Sequence, residues 1–148
     1  MLSGAAVARI EIIDDDKEMA ENLALSLRAH GHTVETLYQT EGAARKLAQN
    51  KPDLLVLDVM FPGNPIGGFD LAREIRATKQ LKLLPIILLT GVNQHYPMDF
   101  SGKDIDPTWM PVQDFMEKPP RIASLLKKIA RLLKNPPPPA RSSGGNPT

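Results

Sequence analysis

The feature that most constrains this chain is a series of short apolar runs, each closing on a polar residue capable of chemistry. Residues 8–13 run into Asp14-Asp15-Asp16, residues 53–57 (DLLVL) into Asp58, residues 84–89 (LPIILL) into Thr90, and residues 112–116 lead to Lys118. Residues 53–57 and 84–89, near-continuously apolar rather than alternating, read as strands buried on both faces, residues 8–13 as a short strand, and residues 112–116 as a short last strand. Residues 33–37, rich in β-branched side chains, supply another strand. Helical spacing fills the intervals. Met19, Leu23 and Leu27 share a face over residues 17–30, with Gly31 placed to end that helix. Thr40 is placed to cap a helix reaching about residue 50, with Ala43, Ala44 and Leu47 inward and Pro52 breaking the pattern. Residues 61–68 are a Pro/Gly-rich loop, after which Phe69, Ala72 and Ile75 mark a third helix. Ile122, Leu125, Leu126, Ile129, Leu132 and Leu133 give the final helix its i, i+3, i+4, i+7 rhythm.

Alternating β and α segments with continuously apolar strands imply a parallel sheet covered on both faces. Right-handed crossovers leave few topologies, and sites in such sheets lie beyond the carboxyl ends of the strands. Asp14, Asp15, Asp58, Thr90 and Lys118 are therefore expected on one edge. Clustered carboxylates raise one another's pKa unless a cation sits among them. Oxygen ligands without His or Cys suit Mg²⁺, which takes one or two carboxylates and keeps waters and phosphate oxygens. A carboxylate can itself be the nucleophile in phosphoryl transfer, with a metal, a lysine and a hydroxyl placed to meet the transferred group's charge. Each residue has a plainer role open to it: an Asp can cap a helix, Thr90 can cap the next element, and Lys118 can lie on the surface. Five such coincidences on one sheet edge are far less economical than one site.

Composition narrows the classes further. No stretch of about 18 apolar residues exists, which excludes a helical membrane span, and the first nine residues lack the basic start and apolar core of a signal peptide. The absence of cysteine removes disulfides, thiolate metal sites and cysteine nucleophiles, and is compatible with a reducing cytoplasm. The net charge of +1 conceals an asymmetry: all 17 acids lie at or before Glu117, whereas residues 119–148 carry six Lys/Arg and no acid. That basic end reads as a solvated helix face, with a docking surface for an acidic partner as the alternative. No aromatic residue is interleaved with those charges, which weighs against nucleic acid. Residues 135–148 (NPPPPARSSGGNPT) cannot form a core and read as a disordered tail or linker after a domain over residues 1–134. His30, His32 and His95 have no metal-site spacing and read as ordinary surface residues.

Six segments taken together resemble response-regulator receiver domains: Ile12-Ile13-Asp14-Asp15-Asp16, residues 52–60 (PDLLVLDVM), Phe61-Pro62-Gly63, Gly68-Phe69, residues 85–91 (PIILLTG) and Glu117-Lys118-Pro119. Each alone is weak; in this order and near-family spacing, over roughly residues 8–134, they are specific. The resemblance implies a flavodoxin-like three-layer α/β sandwich with a five-stranded parallel sheet of order 2-1-3-4-5. It implies that Asp58 is the phosphoacceptor, that Asp15 binds Mg²⁺ directly and Asp14 through water, and that the backbone carbonyl of Met60 is a further ligand. Thr90 is the implied switch hydroxyl, Phe115 the switch aromatic, and Lys118 the cation that pairs with the phosphoryl group, followed by a cis bond to Pro119. Asp16 only opens the first helix. The implied donor is a histidine kinase or a histidine phosphotransfer protein, acting in the cytoplasm. The domain catalyses only its own phosphorylation and dephosphorylation and is not a turnover enzyme.

Two regions depart from that pattern. The loop at residues 60–68 is about two residues longer than the family's. Residues 91–111 contain Pro97, Pro107 and Pro111 with Gly91 and Gly102, so the fourth helix is expected to be short or irregular. Tyr96, Phe100, Trp109 and Met110 there are read as core of an altered lid, with a partner surface as the alternative, and the usual switching face is the part of the readout most affected. No DNA-binding domain follows the last helix, which makes the chain either a single-domain regulator or a fragment, with an unknown downstream protein partner. A receiver-like interaction module that takes no phosphate is the alternative. A phosphatase with an aspartyl nucleophile would want a second acid at position 60, which is Met.

Overall fold

The computed structural model describes residues 7–91 and 112–134. Five strands alternate with helices: β1 Arg9–Ile13, α1 Lys17–Ala29, β2 Thr33–Leu37, α2 Ala43–Asn50, β3 Leu54–Asp58, α3 Gly67–Ala77, a 3₁₀ turn Lys79–Leu81, β4 Ile86–Gly91, β5 Asp114–Lys118 and α4 Ile122–Lys134. The strands form one parallel sheet in the order β2-β1-β3-β4-β5, the order implied by the resemblance. The expected irregular fourth helix, the aromatic residues within it, His95 and the proline-rich tail all lie outside the described residues.

Strand alternation divides the core into two layers. Ile13, Leu55, Leu57, Ile86 and Leu88 meet α2 and α3 on one face. Ile10, Ile12, Leu54, Val56, Ile87 and Leu89 meet α1 and α4 on the other. β3 is buried at every position because it lies at the centre of the sheet with helices above and below. That is why its sequence is an unbroken apolar run rather than an alternating one.

Local chemistry sets the helix ends. Asp16 caps α1, its carboxylate accepting from the Met19 N–H at 3.1 Å. Gly31, at φ 96°, turns the chain after α1 where a β-carbon would be strained. α2 differs from the expectation. Thr40 does not cap it with its side chain; Gly42 in a left-handed conformation precedes Ala43, and only the Thr40 carbonyl takes part, accepting from the Ala43 N–H at 3.0 Å. The hydroxyl reading failed because Gly42 supplies the turn that starts the helix three residues later. Lys51 ends α2 at φ 53°, since the following Pro52 disfavours the helical region for the residue before it. β4 and β5 each extend two residues further than the apolar runs suggested, so Thr90 and Lys118 belong to strands. The ladder pairs Thr90 with Glu117 and Gly91 with Lys118, and backbone hydrogen bonding continues past the last apolar side chain.

His32 corrects a further expectation. It is buried, and its Nδ1 accepts from the Ala8 N–H at 3.1 Å, tying the start of β1 to the α1–β2 turn. Burial lowers its pKa, and the bond from Ala8 requires an unprotonated Nδ1. A lowered folded-state pKa means the unfolded chain binds the proton more tightly, so the contribution is present above the ordinary histidine pKa of about 6.5 and is lost as pH falls through the lower folded value. His32→Asn keeps an acceptor that cannot charge. Its urea-denaturation free energy is expected to fall less than the parent's between pH 7.5 and 5, and parallel pH profiles would exclude this role.

Candidate phosphoacceptor site

Parallel pairing brings the ends of β1, β3, β4 and β5 to one edge. Ile13 stands beside Leu57, Asp58 beside Leu89, and Gly91 beside Lys118. Asp14 follows β1 directly. Its N–H donates to the Leu37 carbonyl at 3.0 Å, and its Oδ1 accepts from the Asp16 N–H at 2.9 Å. Those two bonds hold the Asp14 carboxylate inward, fully buried. Asp58 is almost as deeply buried, whereas Asp15 is exposed. One oxygen from each of the three carboxylates lies within 4.8 Å of the others.

Lys118 reaches this cluster from β5, its Nζ 2.8 Å from Asp58 Oδ1 and 3.0 Å from Asp14 Oδ2. Among the described residues these are its ion pairs. Burial raises the Asp58 pKa to about 6; the Lys118 hydrogen bond opposes the shift and the Asp14 charge adds to it. Burial works against the Lys118 ammonium, but its hydrogen bonds and the charges of Asp58 and Asp14 outweigh that, and its pKa rises. The three carboxylates outnumber the one ammonium in a largely buried pocket. An all-oxygen set with residual negative charge fits a hard divalent cation such as Mg²⁺.

Thr90 is buried one strand away, its Oγ1 donating to the Met116 carbonyl at 3.4 Å. Phe115 is half-buried on the layer that contains Ile86 and Leu88, the face Thr90 shares by strand alternation. The Lys118–Pro119 peptide is cis. Asp14, Asp15, Asp58 and Lys118 therefore meet at one edge, with Thr90 at the end of β4 and Phe115 further back, opposite Leu88, while Asp16 caps α1. The exposed Met60 follows β3 by two residues.

Two contributors were given no role of their own from sequence. Gly68 stands against the backbone of Asp58: a β-carbon there would lie 2.1 Å from the Asp58 carbonyl oxygen and 2.8 Å from Val59 Cα. Its N–H donates to the Val59 carbonyl at 2.8 Å. The paired glycines at 67 and 68, opening a helix where capping residues are usual, were the available signal. Asn64, between Gly63 and Pro65, organises the long loop through both its backbone and its side chain. On the opposite side, part of the basic face of α4 is used internally, Lys128 at 3.0 Å and Arg131 both pairing with Asp114.

Comparison with known proteins places this geometry. The family model for the response regulator receiver domain matches residues 10–130. The transcriptional regulatory protein AfsQ1 of Streptomyces coelicolor is 48% identical over 82 residues, covering 55% of this chain and 34% of that protein. The response regulator MprA of Mycobacterium ulcerans is 33% identical over 129 residues, covering 85% of this chain and 50% of that protein. The chain thus spans half or less of the length of these relatives. Among solved structures, a chain from Chloroflexus aurantiacus described as a response regulator superposes with a TM-score of 0.74 at 31% identity, covering 88% of this chain and all of that one. The chemotaxis response regulator CheY4 of Vibrio cholerae superposes at 0.69 with 24% identity over 86% of this chain and 99% of that one, a likeness of fold.

Proposed function

Because the chain belongs to the response regulator receiver domain family, we propose that Asp58 is the carboxylate on which it takes up a phosphoryl group. The observation that carries this is the ammonium of Lys118 at 2.8 Å from Asp58 Oδ1, beside the Asp14 and Asp15 carboxylates. In the reaction a carboxylate oxygen of Asp58 forms a bond to phosphorus while the phosphorus–nitrogen bond of a phosphohistidine breaks, the bonding pair staying on that nitrogen and the ring leaving as neutral imidazole with the proton its other nitrogen already carries. The donor is a histidine kinase or histidine phosphotransfer protein. Asp14, Asp15, Asp58 and the Met60 carbonyl would hold Mg²⁺, which supplies positive charge to the phosphoryl oxygens when bound. Lys118 supplies the second positive charge, exchanging a carboxylate partner for a phosphoryl oxygen. The Thr90 hydroxyl, bonded to the Met116 carbonyl at 3.4 Å, is the group free to turn toward the new oxygens, and Phe115 is the aromatic that responds on the same face. A partner reads the altered surface. The receiver domain occupies residues 1–134, and the cytoplasm is its site of action.

The test is an amide NMR titration with Mg²⁺ and beryllofluoride, a phosphoryl mimic, on the parent and on Asp58→Asn. Saturable, Mg²⁺-dependent shifts around Asp15, Asp58, Thr90 and Lys118, absent in the variant, are expected. Unchanged spectra in the parent would replace this reading with a phosphorylation-independent interaction module.

A further inference from the structure

The long loop after β3 is built as a closed ring around Met60. Phe61 and Asn64 exchange backbone hydrogen bonds, Phe61 N–H to the Asn64 carbonyl at 3.0 Å and Asn64 N–H to the Phe61 carbonyl at 2.9 Å. Pro62 and Gly63 turn the chain between them, Gly63 at φ 77°, a conformation that suits the third position of a type II turn. The Phe61 side chain is buried in the α2/α3 layer, which anchors the turn to the core.

Asn64 then ties the turn to α3. Its carbonyl also accepts from the Gly67 N–H at 3.0 Å, its Oδ1 accepts from the Ile66 N–H at 3.1 Å, and its Nδ2 donates to Asp70 Oδ2 at 3.0 Å. From the start of α3 the Gly68 N–H returns to the Val59 carbonyl at 2.8 Å. Both residues flanking Met60 are thereby fixed, Val59 through Gly68 and Phe61 through Asn64.

We propose that Asn64 is a positioning residue for the cation site: its carboxamide ties the backbone-closed Phe61–Asn64 turn to Ile66 and to Asp70 of α3, and so steadies the Met60 backbone that the proposed function takes as a ligand. The proposal deepens the phosphoacceptor reading and rests on it. A liganding group held in place before the ion arrives loses less freedom on binding, so affinity depends on the residues that hold it. The loop is closed by backbone bonds at Phe61, Asn64, Gly67 and Gly68, and the two side-chain bonds of Asn64 add the link to Ile66 and Asp70.

Three proteins test this: the parent, Asn64→Ala, and the double variant Asn64→Asp/Asp70→Asn. In the double variant the carboxylate introduced at position 64 accepts from the Ile66 N–H and from the carboxamide introduced at position 70, restoring both side-chain bonds, the second with donor and acceptor exchanged. Mg²⁺ affinity is read from NMR shifts near Asp15 and Asp58, ring closure from hydrogen exchange of the Phe61 and Gly68 amides without metal, and stability from thermal melting. Asn64→Ala is expected to weaken Mg²⁺ binding about tenfold and to speed exchange at Phe61 and Gly68, with the double variant recovering both. Parental affinity in Asn64→Ala would overturn the proposal. So would lost affinity that the double variant fails to recover although it melts like the parent. A parent that binds no Mg²⁺ would overturn the phosphoacceptor reading itself, and this proposal with it.

Discussion

A methyl group at position 68 is expected to destabilise the domain by about 3 kcal/mol and to lower its melting temperature by roughly 10 °C. The added carbon would lie 2.1 Å from the Asp58 carbonyl oxygen, 2.8 Å from Val59 Cα and 3.0 Å from the Asp58 carbonyl carbon. All three are backbone atoms at the end of the central strand, which has no flexible end to swing aside. Relief requires α3 to back away from β3, at the cost of the Gly68–Val59 hydrogen bond and the placement of Asp58. Mg²⁺ affinity should therefore fall together with stability in Gly68→Ala. Gly67→Ala is the control, because the atoms nearest its β-carbon belong to the Phe61 side chain and not to backbone, at 3.1 and 3.3 Å, and alanine favours the helix by about 1 kcal/mol. Thermal melts of both variants decide the matter. A Gly68→Ala protein that melts with the parent would show that the β3–α3 junction tolerates a side chain.

The second large effect concerns charge. Lys118→Met leaves the buried carboxylates of Asp14 and Asp58 without the ammonium that now lies 3.0 and 2.8 Å from them. Removing one partner from such a cluster costs about 3–5 kcal/mol, and the loss should depend on pH and on metal. With Lys118 present, burial already holds the Asp58 pKa at about 6, above its ordinary 3.8. A raised carboxyl pKa means the folded state binds the proton more tightly than the unfolded chain. Its stabilising effect is complete below the ordinary value and fades as pH climbs through the folded-state value. Without the ammonium that window moves upward, so Lys118→Met should be much weaker than the parent at pH 7.5 and closer to it at pH 5. Millimolar Mg²⁺ should restore part of the difference at pH 7.5 by supplying the missing positive charge. Urea denaturation at the two pH values, with and without Mg²⁺, measures each term. A deficit equal at both pH values and indifferent to Mg²⁺ would mean that the lysine acts through packing of its stem and not through charge.

These two residues also show what could be read in one dimension. Lys118 was legible because its role depends on residue type and on its place after an apolar run, and parallel strands bring such places to a common edge whatever the loops do. The same logic found Asp14, Asp15, Asp58 and Thr90. It also placed β3 inside the sheet, because an uninterrupted run such as Leu54–Leu57 can lie only where both faces are covered. Asp16 was readable as a cap because capping is decided within three residues.

What depends on distance in space was not readable. His32 looks like a surface residue beside a turn, and only the return of the chain past Ala8 buries it and fixes its protonation. Glu11 sits within the β1 run, yet folding buries it beneath the end of α2, where Asn50 Nδ2 donates at 3.4 Å; burial, with Glu35 opposite it in β2, raises its pKa. Thr40 misled because a hydroxyl before a helical pattern is a local signal, and Gly42 overrode it by turning the chain first. Gly68 and Asn64 carried no pattern that gave their roles. One is required by the approach of a helix to the backbone of Asp58, the other by hydrogen bonds that close a ring around Met60. Residue type and order determined which groups reach the edge and what chemistry they can support. Tertiary packing decided how tightly they are held there, because burial, ion pairing and steric contact are set by neighbours remote in the chain.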